Sequence, residues 1–273
     1  MKETLVKSLN SISPIDGRYR NQIEKLSNYF SEKALIRYRL IVEIEYFISL
    51  VEIPLPQLEN FPKQKINSLK KIYTNFTDEN ALAVKKIEKK TNHDVKAIEY
   101  FLKNEFDKNA ISSYKEFIHF GLTSQDINNT SIPLSIKNAL KEEYLPNLNE
   151  VLSNLNKLSN ESKNIPMLAR THGQPASPTK LGKEILVFIE RLKNQVKVLS
   201  SIPNVAKFGG ATGNYNAHVV SYPQINWKKF SATFLKTKFG LKHSFPTTQI
   251  EHYDYFSSQC DSLRRINNIL IDM

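Results

Sequence analysis

The 273-residue chain has one cysteine, Cys260, and so no internal disulfide, which excludes a small disulfide-stapled secreted scaffold. No apolar run reaches the ~18 residues that a spanning helix needs, and the opening residues MKETLVKSLNSISP hold no apolar stretch of signal-peptide type. These absences point to a soluble protein of a reducing, cytoplasmic compartment. Glycine is also scarce. Eight glycines are about 3% of the chain, against ~7% in average usage. That is too few for a fold built on tight hairpins, and the expected fold class is all-α. Six of them, Gly17, Gly121, Gly173, Gly209, Gly210 and Gly213, fall in short segments where the backbone must bend sharply or approach something closely.

What is present is ordinary for a globular chain: 40% hydrophobic and 24% charged residues. Lysine and arginine number 38 against 27 acidic residues, a formal charge of +11, which suits a polyanion or a small anionic ligand. The Lys85-Lys86 and Lys89-Lys90 pairs alternate with an apolar side containing Leu82, Val84 and Ile87, and read as a solvated helix face. There is no zinc-finger spacing, P-loop or RNA-binding aromatic motif, so neither a nucleic-acid nor a membrane partner is expected.

Apolar residues three or four apart predict helix over 20–51, ended by Pro54 and Pro56, over 64–90, and again from Thr91-Asn92-His93-Asp94, with Asn92 as N-cap. The longest predicted helix runs from Gln125 to Ser162 along Ile127, Leu134, Leu140, Leu148, Leu152 and Leu158, kinked at Pro133 and Pro146 but burying one face. Residues 163–177 read as a Pro-interrupted loop, followed by a helix with Ser177 as N-cap and Pro178 at its first position. Residues 203–225 read as ordered but irregular. A last helix from 252 is predicted to bury Phe256, Cys260, Leu263, Ile266, Leu270 and Met273, and it carries no end signal, the pattern expected of a fragment.

Six polar islands separate these helices. Ser13 to Tyr19 presents Arg18 beside Tyr19, and an arginine can fork onto phosphate or carboxylate. Asn92, His93 and Asp94 open a helix, where backbone N–H groups favour an anion. Gly121 to Asp126 offers the hydroxyl pair Thr123 and Ser124, with Asp126 at capping-box spacing from Thr123. Arg170 to Pro175 sets His172 and Gly173 between two core helices, where polar groups are costly to bury without a ligand. The last two are Gly209 to His218 and Thr247 to Glu251.

In this order, SPIDGRY, TNHDVKAIEYFLK, EFIHFGLTSQDINNT, ARTHGQPASPTKLGKE, GNYNAH and TTQIE resemble segments of the fumarase/aspartase superfamily of lyases, most closely its bacterial adenylosuccinate lyase branch. The resemblance implies an N-terminal helical domain over 1–112, part of a long central helical bundle over 113–273, and a homotetramer whose sites combine several subunits. It implies elimination of fumarate from a succinyl nucleotide, adenylosuccinate to AMP and also SAICAR to AICAR, with no metal or other cofactor. It assigns His172 as the general acid, supported by His93. Arg18, Tyr19, Asn92, His93, Asp94, Thr123, Ser124 and Gln249 become substrate contacts. The family's base is a serine in a loop reading Ser-Ser-x-Met-Pro-x-Lys-x-Asn-Pro. None of the Ser-Ser pairs at 112, 200 and 257 continues that way, so these residues alone are expected to have little or no lyase activity. The alternatives are a related lyase such as argininosuccinate lyase, or a non-catalytic basic helical module.

Overall fold

A computed structural model describes residues 10–273; the leader reading of residues 1–9 lies outside them. By packing, the chain divides into two compact units. One comprises residues up to Ala139 together with Val205–His252, the other Leu140–Asn204 with Tyr253–Met273.

The first unit is built around α1 (Glu32–Val51). Ser31 caps it by accepting from the Ala34 N–H at 3.1 Å, and Glu32 complements the positive helix end. Its apolar residues are spread around the helix rather than along one face, and it is surrounded: Leu40, Val42, Tyr46 and Leu50 are all fully buried. Around it lie α2 (Ile66–Thr74), α3 (Asp78–Thr91), α4 (Asp94–Lys108) and α5 (Ser124–Ala139). The helix expected over 64–90 is broken between α2 and α3, where the Thr77 hydroxyl accepts from Asn80 N–H and the Asn80 side chain accepts from Thr77 N–H. Leu82, expected on the apolar side, is exposed. It lies two residues from buried Val84, about 200° around the helix.

The returning segment 205–252 completes this core. Strand β3 (Val205–Ala206) pairs in parallel with β4 (Lys242–His243), and between them lie α8 (Asn216–Ser221) and α9 (Trp227–Phe234). Phe208 and Phe234 pack on Tyr46 with ring centroids 5.1 and 5.9 Å away.

In the second unit, α6 (Leu145–Glu161), α7 (Leu181–Ser201) and α10 (Asp254–Asp272) pack around Leu148, Leu152, Ile189, Leu192 and Ile266. The helix expected over 125–162 is thus α5, a π-helical turn over Leu140–Tyr144, and α6 with Pro146 in its first turn. Its apolar seam serves two cores, Ile127 and Leu134 in one and Leu148 and Leu152 in the other, while Leu158 is exposed.

Two expectations are corrected here. Residues 163–177 are not simply a loop: β1 (Pro166–Thr171) and β2 (Gln174–Lys180) form an antiparallel hairpin. Ser177 and Pro178 belong to β2, and α7 begins only at Leu181. Helix start is delayed because Pro178 lies opposite Leu168 in the ladder, where its missing N–H suits an edge strand. In α10 the buried positions are Gln259, Ser262, Ile266 and Ile269, whereas Phe256, Cys260 and Met273 are exposed. The buried stripe is rotated from the predicted one because Gln259 and Ser262 are polar and escaped a count of apolar residues. Gln259 donates to Asn204 at 3.0 Å.

Candidate active site

The second island is split between two helix ends. Asn92, expected as an N-cap, closes α3 instead, in the left-handed conformation at φ 51°. His93 is the N-cap of α4: its Nδ1 accepts from the Lys96 N–H at 3.2 Å. With Nδ1 as acceptor, the half-exposed ring carries its N–H on Nε2. Asp94 accepts from Arg39 of α1 at 2.6 Å. Partial burial pushes the Asp94 carboxyl up, but the Arg39 guanidinium and the Val95 N–H together hold the group below the ordinary carboxylate range. Arg39 also donates through Nε to Asn128 of α5 at 2.9 Å, tying the second island to the third.

In the third island Asp126 reaches back to accept from Thr123 N–H at 2.8 Å, the returning half of a capping box. The same carboxylate, fully buried, accepts from Gly209 N–H at 2.7 Å, from Gly210 N–H at 3.1 Å, and pairs with fully buried Lys207 at 2.7 Å. Burial pulls the Lys207 ammonium below its ordinary value, against the pull of Asp126. The fifth island is thereby clamped onto the end of α5. Gly213, at φ 77°, brings in the sixth: a Cβ there would lie 2.3 Å from the Thr247 carbonyl oxygen. Asn129 of α5 accepts from Glu251 N–H at 2.8 Å. Islands two, three, five and six therefore converge on the first two turns of α5, with Thr123 and Ser124 at the helix mouth and Gln249 on the adjoining exposed segment.

Arg18 and Tyr19 lie on an exposed turn of the first unit, closed by Gly17 N–H to Ser13 O at 3.0 Å, with the Arg18 guanidinium 5.7 Å from the Tyr19 ring centre. They line an open depression with Ser11, Ile12 and Ser13. His172 belongs to the second unit, at the tip of the β1–β2 hairpin. His172 and Gly173 form its two-residue turn with φ of 50° and 74°, the sign pattern of a type I′ turn. The whole tip from Arg170 to Pro175 is exposed, so the burial cost expected of this island does not arise, and His172 is open to a ligand.

Sequence reasoning missed the groups that assemble this site. Arg39 sits in an apolar helix and Lys207 beside a glycine pair, with no motif of their own. His119 accompanied a motif, but its partner Glu43 is 76 residues away, at 2.6 Å. Burial pulls His119 down, yet Glu43 outweighs it and raises its pKa above the ordinary value. His218 packs against Gly121, where a Cβ would lie 2.7 Å from its ring. Tyr46 donates to Phe120 O at 2.7 Å, so it accepts from His218 Nε2–H at 2.9 Å. Among the described residues, no group of three or more His, Cys, Asp or Glu is placed to hold a metal, and no helix is long and apolar enough to cross a membrane.

Comparison with known proteins agrees with the motif order. The chain is 52% identical over 277 residues to an adenylosuccinate lyase of Dictyostelium discoideum, covering 98% of this chain and 59% of that protein. It is 46% identical to the adenylosuccinate lyase of Legionella pneumophila strain Corby, covering 97% and 58%, and 39% identical to that of Escherichia coli K12, covering 98% and 59%. The chain thus spans about three fifths of the length of these curated relatives. Among solved structures, a fumarate lyase from Mesorhizobium sp. BNC1 superposes with a TM-score of 0.73 at 18% identity, covering 90% of this chain and 55% of that one. A 3-carboxy-cis,cis-muconate lactonizing enzyme from Pseudomonas putida gives 0.71 at 18%, covering 90% and 53%. These two likenesses show the fold, and the mostly helical class expected from the sequence holds. A family description given as lyase matches residues 17–273, and the chain belongs to that lyase family.

Proposed function

We propose that this chain is the acid-bearing, substrate-binding part of an adenylosuccinate lyase. The enzyme removes fumarate from adenylosuccinate to leave AMP, and from SAICAR to leave AICAR where the pathway exists. The observation that carries the reading is the convergence of four motif islands on the mouth of α5, through Arg39, Asp126 and Asn129, at positions matching substrate contacts of the family.

In this reaction a base takes the proton from the carbon next to a succinyl carboxylate. The electron pair is held as an aci-carboxylate, then forms the C=C bond of fumarate as the C–N bond breaks. His172, protonated, gives its proton to the departing nitrogen and is left neutral. In the family's arrangement, whose sites combine several subunits, His93 supports that acid. Arg18 and Tyr19 hold the phosphate; Asn92, Asp94, Thr123, Ser124 and Gln249 orient the succinyl and purine groups. A multiply anionic substrate suits an arginine, hydroxyls and helix N-termini. The net charge of +11 favours its approach. The family's cytoplasmic homotetramer and its division into residues 1–112 and 113–273 belong to the same proposal. That division follows the chain, whereas the two packed units follow contacts.

Because these residues contain no Ser-Ser-x-Met-Pro-x-Lys-x-Asn-Pro loop, the chain on its own is expected to show little or no adenylosuccinate cleavage in a continuous assay. Ordinary turnover would overturn the assignment of the base to that loop. The substrate class is tested by ligand protection. AMP at ~100 times its Kd should raise stability by about 2.7 kcal/mol where arginine does not. Protection by arginine and not AMP would favour an argininosuccinate lyase.

A further inference from the structure

Gln249 lies on an exposed stretch, Thr248 to Ile250, between two fixed points. On one side the Thr247 carbonyl lies against Gly213, so closely that an added Cβ would meet its oxygen at 2.3 Å and that of Thr248 at 2.7 Å. On the other side the Glu251 N–H donates to Asn129 Oδ1 at 2.8 Å, in a buried bond. Asn129 is itself fully buried, and its Nδ2 donates to Gln125 Oε1 at 3.2 Å. One side-chain amide therefore connects the first turn of α5, directly after Thr123 and Ser124, to the backbone two residues beyond Gln249. Gly213 belongs to the loop whose start, Gly209 and Gly210, is held by Asp126. Both fixed points thus lead back to the first two turns of the same helix.

Buried backbone groups are almost always paired, and a removed partner leaves the other unsatisfied. Asn129 has no exposed surface with which to touch a ligand. Its chemistry is that of an adaptor, whose carbonyl satisfies a loop N–H and whose amide nitrogen is fixed by Gln125. We infer that Asn129 is a positioning residue for Gln249, holding the Thr247–Glu251 segment in register with Thr123 and Ser124 so that all three address one ligand. The identity of that ligand rests on the adenylosuccinate reading; the positioning itself does not.

The test is hydrogen exchange by mass spectrometry on the 273-residue chain, with two substitutions that loosen the segment from opposite ends. Asn129→Ala removes the acceptor for Glu251 N–H, and Gly213→Ala forces a methyl group against Thr247. In each, exchange at residues 247–251 should accelerate about tenfold or more while exchange within residues 40–50 of α1 is unchanged. Unaltered exchange at 247–251 in Asn129→Ala, whatever Gly213→Ala does, or acceleration of 40–50 to the same degree, would overturn the inference. Should Asn129→Ala not fold, Asn129→Ser, whose shorter hydroxyl withdraws the acceptor from Glu251 N–H while staying polar, decides in its place. A second arm adds adenylosuccinate. The unsubstituted chain should gain protection at 121–126 and 247–251, and Asn129→Ala should keep the first and lose the second. If the ligand protects neither segment of the unsubstituted chain, the substrate reading fails while the ligand-free arm still decides the positioning.

Discussion

His218 is 2% exposed, and burial pulls its imidazole down to about 4 from 6.5. Between those values the unfolded chain takes up a proton that the folded chain refuses, so stability falls as pH falls from about 6.5 to about 4. The loss is about 3 kcal/mol when complete. His119 works the other way. Its raised pKa contributes stability that is present below 6.5 and is lost as pH rises through the folded value. His218→Gln should therefore flatten the acid side of the pH–stability curve. Trp227, the sole tryptophan, has its ring centre 4.7 Å from that of His218 and reports the transition by fluorescence in urea. An unchanged acid slope in the variant would show that His218 does not titrate this way. Neither histidine was legible as a site-builder in the sequence, because what defines each is a partner far along the chain, Tyr46 for His218 and Glu43 for His119. Arg18, His93, Thr123 and His172 stand out as candidates in the sequence because they sit in polar breaks between helices.

Among the elements, periodicity located α1, α4 and α7 and missed what periodicity cannot carry. The low glycine count argued against hairpins, yet one forms where a single glycine suffices. Gly173 takes the second position of a two-residue turn and His172 accepts the left-handed first position, which lifts its ring to the hairpin tip. The break between α2 and α3 rests on one capping box, a signal shorter than the helical window that spans it. Behind the hairpin, Gly182 at the start of α7 lets that helix touch the Ser159 carbonyl of α6; a Cβ would lie 2.3 Å from that oxygen. Gly182→Ala should force the pair apart at a cost of about 2 kcal/mol or more, measured as faster hydrogen exchange across α6 and α7. Exchange equal to that of the unsubstituted chain would mean that the helices shift without penalty.

At the scale of the molecule, no described helix is long and apolar enough to cross a membrane, and the order of motifs rather than any single motif identified the family. The basic excess reads as solvated surface in part. Lys85 of α3 pairs with Glu32 and Glu88, and Lys33 pairs with Asp78, exposed contacts worth little individually. The claim at the centre is that His172 hands its proton to the nitrogen being expelled. The measurement that bears on it most directly is kcat and substrate affinity of His172→Ala in the complete enzyme. The substitution should lower kcat by ~10²-fold or more with adenylosuccinate still bound; a kcat equal to that of the unsubstituted enzyme would remove His172 from the role.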